Sequence, residues 1–254
     1  MRAVGAANMY NRVLRVLAER PPGRLLDIPA GSGPVGAGAR ALGYTVVGVD
    51  LFPTKGLHGV IADACAQLPF GDGSFDAVLS MEGIEHFENQ TGFLRECARV
   101  LRPGGVLIVT TPNVLHLSSR VSGFLTGQRL MKQGFINEVT TMWRREPTRT
   151  YHGHAYLIDA FRLRYILHVV GMRLDRLCRT DWSTGSFLML PLVPLLWVAA
   201  RYALWSGRRH RRRRQQTVAP PPVERDIARL AVSPTLLLSR GIIAVAHKEL
   251  PEPT

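Results

Sequence analysis

The residues at 82, 85 and 86 carry the most chemistry for their spacing. Glu82, Glu85 and His86 stand at i, i+3 and i+4, so one helical turn would set all three on a single side. Two carboxylates and an imidazole gathered in this way suit a divalent metal through oxygen and nitrogen ligands. Without an ion, the same residues read as a helix start followed by a hydrogen-bonded pocket histidine. A second group lies upstream. The loop Pro29-Ala30-Gly31-Ser32-Gly33 follows Asp27, and Asp50 stands 17 residues past Gly33. Gly31 and Gly33 allow positive φ and let a ligand approach the backbone without a Cβ in the way. A carboxylate at Asp50 can accept both hydroxyls of a ribose, and Asp63 with Ala64 adds a further acceptor.

These residues need elements to hold them. Met9, Val13, Leu14 and Leu17 recur at helical spacing and predict a helix near 6–19, stopped by Pro21-Pro22-Gly23. Arg24 to Ile28 reads as a strand, 34–42 as a helix, and Thr45 to Val49 as a second strand ending at Asp50. Strand, glycine loop, helix, strand and acid make a βαβ unit. The alternation continues with strands at 60–61, 75–80 and 106–110 and a helix carrying Phe93, Leu94, Cys97, Val100 and Leu101. A short helix at 118–126, another from Ile158 to Val169, and strands at 172–178 and 241–246 complete it. The fold class is therefore α/β, with a doubly wound, mostly parallel sheet and helices on both faces.

A ligand of such a sheet sits beyond the carboxyl ends of its strands. A dinucleotide would require GxGxxG with its pyrophosphate on a helix N-terminus. Here Asp27 precedes the loop and Pro29 removes an amide donor, which suits a cationic or amine-bearing ligand better than a diphosphate. The stretches LLDIPAGSG (25–33), VVGVD (46–50), ADA (62–64), LPFGDGSFDAV (68–78), MEGIEHFEN (81–89) and LRPGGVLIVTTPN (101–113) follow in order. Over about residues 20–175 the chain thereby resembles the class I S-adenosylmethionine-dependent methyltransferases. The resemblance implies a seven-stranded Rossmann-like sheet and S-adenosylmethionine as cofactor. Asp27, Gly31 and Gly33 would surround its methionine part, Asp50 would take its ribose hydroxyls, and Asp63 with Ala64 would face its adenine; Pro29, Ala30, Leu51 and Met81 complete the expected cofactor-binding set. Pro29 departs from the glycine most common in the family.

The ExxEH pattern also resembles metal-dependent 2′-O-methyltransferases of small RNA and ubiquinone-pathway O-methyltransferases. That resemblance makes His154 the fourth member of a catalytic and metal set with Glu82, Glu85 and His86, for an ion such as Mg. His58, His116, His168, His210 and His247 show no ligand spacing. Tyr151 and Tyr156 are candidates for the acceptor site. The connection 114–153 is long for a compact domain, carries few strand signals, and is the candidate substrate-facing insertion. Its start, Leu115 to Gly127, resembles methyltransferases of bacterial surface-glycan synthesis. The favoured reaction is O-methylation of a sugar hydroxyl on a glycan or lipid-linked intermediate. The rivals are an RNA 2′-O-methyltransferase and a catalytically silent cofactor-binding scaffold.

Composition bounds the rest. The 254 residues carry a formal charge of +13 and a 46% hydrophobic fraction, enough for a substantial core. Cys65, Cys97 and Cys178 form no CxxC pair, which disfavours a disulfide framework and points to a reducing, cytoplasmic setting. The first twenty residues hold no unbroken apolar run of the kind a cleaved signal peptide needs. Seven arginines between 201 and 214 supply much of the excess charge and read as a solvated, mobile run. Before them Phe187 to Ala200 is continuously apolar, too short for a confident crossing and otherwise readable as core. Trp205 and the arginines together predict peripheral attachment to an anionic membrane on its cytoplasmic face, with nucleic acid the lesser expectation. The expected organisation is a methyltransferase domain at 1–180, an apolar and polybasic linker at 181–222, and a segment at 223–254 returning to the sheet.

Overall fold

The computed structural model describes residues 2–31, 33–53, 59–128, 136–137, 139, 142–146 and 149–250. Ser32, His58 and part of the 114–153 insertion lie outside them, as does the side chain of Tyr151. The strands are β1 (Arg24–Asp27), β2 (Thr45–Asp50), β3 (Gly59–Ile61), β4 (Phe75–Met81), β5 (Leu101–Pro112), β6 (Met142–Glu146), β7 (Arg149–His152), β8 (Met172–Arg179) and β9 (Gly241–Lys248). Seven of them form one sheet in the order β3-β2-β1-β4-β5-β9-β8. The first five run parallel, and β9 lies antiparallel between β5 and β8. The mostly parallel, doubly wound expectation therefore holds, with β8 and β9 forming the far edge of the sheet.

The central strands are apolar on both faces, and alternate residues divide between two cores. Leu26, Val78, Leu107, Val109 and Ala244 face one core. Against it pack α3 (Gln90–Val100), through Phe93, Leu94 and Cys97, and α5 (Ala160–Val169), through Leu163, Ile166 and Leu167. Leu25, Ala77, Leu79, Val106, Ile108 and Ile243 face the other. There α1 (Arg2–Ala18) contributes Val13, Val16 and Leu17, and α2 (Pro34–Ala41) contributes Val35 and Ala39.

Three expectations change. The insertion contains an antiparallel hairpin, β6–β7, where the sequence shows few strand signals; in its register residue 143 stands opposite residue 151. Beyond α4 (Leu117–Thr126) and β8 come α6 (Thr184–Phe187), α7 (Val193–Arg213), α8 (Pro221–Ala231) and α9 (Pro234–Leu238). The arginine run is thus not a mobile linker but the last turns of a 21-residue helix. Cations at a helix C-terminus complement its dipole, which favours continuation through the charges. The apolar stretch before it is not core either, since α7 has no buried residue.

The end of β5 is fixed by Asn113, which is buried. Its Nδ2 donates to Leu236 O and to Ser239 O, both at 2.8 Å, and its Oδ1 accepts from Leu115 N at 2.9 Å. One amide thereby joins the exit of β5 to the α9–β9 junction 123 residues later. Asn113→Ala strips two buried carbonyls of their donor, each loss costing about 1–3 kcal/mol. Urea unfolding of the variant should show about 2 kcal/mol or more of lost stability, and an unchanged midpoint would refute the clamp.

Candidate functional site

The carboxyl ends of β1, β2 and β4 open into a cleft of about 460 Å³. Its walls include Pro29, Gly31, Asp50, Leu51, Asp63, Ala64 and Met81, seven of the residues expected around a cofactor. Gly31 and Gly33 both take positive φ, 52° and 77°. Gly33 caps α2, and Pro34 at the first helical turn needs no donor there. The Asp50 carboxylate closes the loop from the neighbouring strand. Its Oδ2 accepts from Gly31 N at 2.9 Å and its Oδ1 from Phe52 N at 3.1 Å. Asp63 is held in a local turn, with Oδ1 accepting from Cys65 N at 2.8 Å. Ala30 and Gly33 do not line the cleft themselves; Ala30 N donates to Val49 O and Gly33 N to Ala30 O, so both shape its floor.

Asp27 lies beneath the loop, only 3% exposed. Burial pushes its carboxyl up to about pKa 7; Arg40 pulls it down and Asp50 pushes it up, each by less. The group therefore changes charge near neutrality in a site where a cationic ligand would favour the ionised form. Pro29 finds its space because residue 83 is glycine: a Cβ at Gly83 would come within 2.3 Å of Pro29 Cδ. The departure from the family's usual glycine is thus accommodated across the cleft.

The second group is not arranged as its spacing suggests. Only Ile84–His86 form a turn, and it is 3-10 rather than α. Glu82 has φ 46°, a left-handed conformation costly for a residue with a Cβ. Thr110 on β5 holds it there: Glu82 N donates to Thr110 O at 3.1 Å and to Thr110 Oγ1 at 3.0 Å. Thr110 Oγ1 in turn donates to Glu82 Oε1 at 3.1 Å. Glu82 and His86 line the cleft, but Glu82 does not join the cluster behind it. That cluster is Glu85, His86 and His154, whose candidate ligand atoms all lie within 4.8 Å of one another. Glu85 is fully buried and accepts from Thr111 Oγ1 at 3.1 Å. The His86 and His154 rings meet edge to face at 5.0 Å.

His154 arrives from 68 residues downstream because the following backbone is fastened to this turn. Tyr156 N donates to Glu85 O at 3.1 Å, and the buried Gln90 Nε2 donates to both Ile84 O and Tyr156 O. Of the four expected residues the fold therefore gathers three and leaves Glu82 as a cleft wall. Sequence reasoning missed Thr110, Thr111, Gln90 and Gly83, which position the site without reacting, and Phe52 and Phe87, which line the cleft. Thr110 and Thr111 stand in the TTPN stretch, whose side-by-side hydroxyls were the available signal.

Comparison with known proteins agrees with this geometry. Residues 26–109 match the methyltransferase-domain family. A ubiquinone biosynthesis O-methyltransferase of Caulobacter sp. strain K31 is 40% identical over 103 residues, 35% of this chain and 41% of the relative. A protein of Mycolicibacterium smegmatis named "Probable S-adenosylmethionine-dependent methyltransferase" is 51% identical over 53 residues, 21% of each chain. The chain spans less than half the length of these relatives. Burkholderia thailandensis 1,6-didemethyltoxoflavin-N1-methyltransferase superposes with TM-score 0.51 at 14% identity, covering 96% of this chain and 78% of that one, a likeness of fold. With the sheet order, the glycine loop and Asp50 all in place, residues 26–109 form a methyltransferase domain of the class I S-adenosylmethionine-dependent type.

Proposed function

We propose that the chain is an O-methyltransferase that uses S-adenosylmethionine, with a sugar hydroxyl of a glycan or lipid-linked intermediate as acceptor. One observation carries the oxygen chemistry: His86 stands on the cleft wall with Glu85 and His154 directly behind it. In the reaction the acceptor oxygen forms a bond to the methyl carbon while the carbon–sulfur bond breaks and its electron pair returns to sulfur. The acceptor proton leaves through His86, and S-adenosylhomocysteine departs without the sulfonium charge. Support for an oxygen acceptor also comes from the name of the Caulobacter relative, and support for a sugar from the Leu115–Gly127 resemblance.

One carboxylate and two imidazoles are also a donor set that fits a divalent ion. Glu85, His86 and His154 would hold it, and when bound it supplies Lewis-acid polarisation of the acceptor hydroxyl.

Several outcomes test the reading. Asp50→Ala should weaken S-adenosylmethionine binding about 10- to 100-fold by calorimetry, since a charged acceptor of hydrogen bonds contributes about 1.5–3 kcal/mol. A wild type that shows no saturable binding would end the cofactor assignment for this chain. His86→Ala should lower turnover about 100-fold or more while cofactor affinity stays within a few-fold, as expected for loss of a general base. Mass spectrometry of glycan, lipid and RNA fractions incubated with the enzyme and the cofactor identifies the acceptor. Methylated RNA alone would replace the sugar assignment, and no methylated fraction would mark a silent scaffold. Chelation before assay separates the roles of the cluster: full activity afterwards assigns it proton transfer alone.

A further outcome follows from Asp27. A bound cation favours its carboxylate, so cofactor affinity should fall by up to tenfold per pH unit below about pH 7. Without cofactor the sign reverses. The folded chain then holds a proton that the unfolded chain releases, so this group's contribution to stability is full below pKa 3.8 and is lost as pH rises to about 7. Asp27→Asn should flatten both profiles, and an affinity independent of pH in the wild type would remove Asp27 from cofactor binding.

A further inference from the structure

From Phe187 onward the chain leaves large apolar side chains in solvent. Leu188 is 82% exposed, and on α7 Leu195, Val198 and Tyr202 are 66%, 56% and 64% exposed. Residues 195, 198 and 202 recur at i, i+3 and i+7, so they lie along one side of the helix. A flank roughly a quarter turn round the helix faces α8, where Leu204 and Arg208 of α7 meet Pro221, Glu224 and Ala228, with Trp205 between that flank and the strip. The exposed side is therefore a continuous apolar strip without a partner among the described residues. It continues at its C-terminal end into Arg209, Arg211, Arg212 and Arg213, all exposed.

The charge on this segment has one sign. No acidic residue occurs between 182 and 216, and the next one, Glu224, is already paired with Arg208. Two tryptophans on the same helix each carry an arginine. Arg201 lies over the Trp197 ring at 4.9 Å, and Arg209 over the Trp205 ring at 5.4 Å. Exposed aliphatic side chains, tryptophans and clustered arginines on one helix are the composition of a helix lying at an anionic bilayer surface. The apolar part of α7, residues 193–200 with 202–205, is about 18 Å long at 1.5 Å per residue, against a hydrocarbon core of about 30 Å. Among the described residues no helix is long and apolar enough to cross a membrane.

We propose that the exposed side of α7, with Leu188 before it, seats the protein on an anionic lipid bilayer, lying in the interface plane. Nucleic acid fits the strip less well. Base stacking needs open aromatic faces, whereas Trp197 and Trp205 each carry an arginine and Tyr202 packs against Trp205 with ring centroids 5.8 Å apart. A second copy of the chain would cover the leucines but would bring the arginine runs together. The surface is independent of the methyl-transfer reading and can be tested without cofactor.

Flotation of the full chain with vesicles of equimolar phosphatidylcholine and phosphatidylglycerol is the test, with phosphatidylcholine alone as its control. The wild type should float with the anionic vesicles and stay largely behind with the neutral ones. Replacing Arg211, Arg212 and Arg213 by Gln should lower partitioning on the order of 100-fold. Leu195→Ser with Val198→Ser should lower it roughly tenfold or more, without altering the thermal unfolding midpoint of these exposed sites. The proposal is overturned if the wild type ignores anionic vesicles, or if the serine pair floats as well as wild type. It is equally overturned by a stable dimer in light scattering that does not bind vesicles. Retention on RNA that needs the arginines but not Leu195 or Val198 would assign the surface to nucleic acid instead.

Discussion

Burial of the central strands on both faces is the constraint on which the remaining structure depends. Leu25 and Leu26, Ala77 and Val78, Leu107 and Ile108 are neighbours in sequence that point to opposite cores, and each is almost fully excluded from water. A side chain that must meet a polar ligand has no room along such strands. It can stand only where a strand ends. Asp27, Asp50, Met81 and Thr111 are therefore strand-terminal or within one residue of it, and the parallel register of β1, β2 and β4 brings three of those ends to one edge. The same burial explains the raised carboxyl of Asp27, the first polar residue met on leaving the core.

How legible each part was in the sequence follows from the range of the interactions that make it. The cofactor half rests on local features. Gly31 and Gly33 need positive φ within one loop, and Asp50 ends a β-branched run read directly from Thr45 to Val49. The sheet was legible for a similar reason, since two-sided burial leaves uninterrupted apolar runs. The Glu82–His86 turn was not, because its conformation is set by β5. Thr110 fixes Glu82 in a left-handed conformation, and Thr111 orients Glu85, from 28 and 26 residues away. Helical spacing describes what residues do when only their own turn constrains them. Here a neighbouring strand outweighs it.

The C-terminal helices show the converse. Arginines at 208–214 repel one another and read as an unstructured run, yet α7 continues to Arg213. Its C-terminal dipole favours cations, and the Arg208–Glu224 pair anchors it to α8. The Arg99 network shows a motif whose role is mechanical. Arg99 donates to Phe70 O at 2.8 Å and Leu68 O at 3.1 Å while pairing with Glu96 and Asp72, so it holds the LPFGDG loop against α3. Those residues help carry the family resemblance in the sequence and serve as scaffold in the fold.

The strand directions relate the two surfaces that matter most. β9 runs antiparallel to both β5 and β8, so β8 ends where β5 ends. Ile242 pairs with Thr111 on one side and Arg179 on the other, placing the last residue of β8 level with the threonine that donates to Glu85. The chain that follows Arg179 enters α6 on this same edge. There Ser183 and Ser186 join a hydroxyl and imidazole network with Ser118 and His116 at the start of α4, with contacts of 2.9–3.3 Å. The α6–α7 segment thus departs from the carboxyl edge of the sheet, which also holds the cofactor cleft.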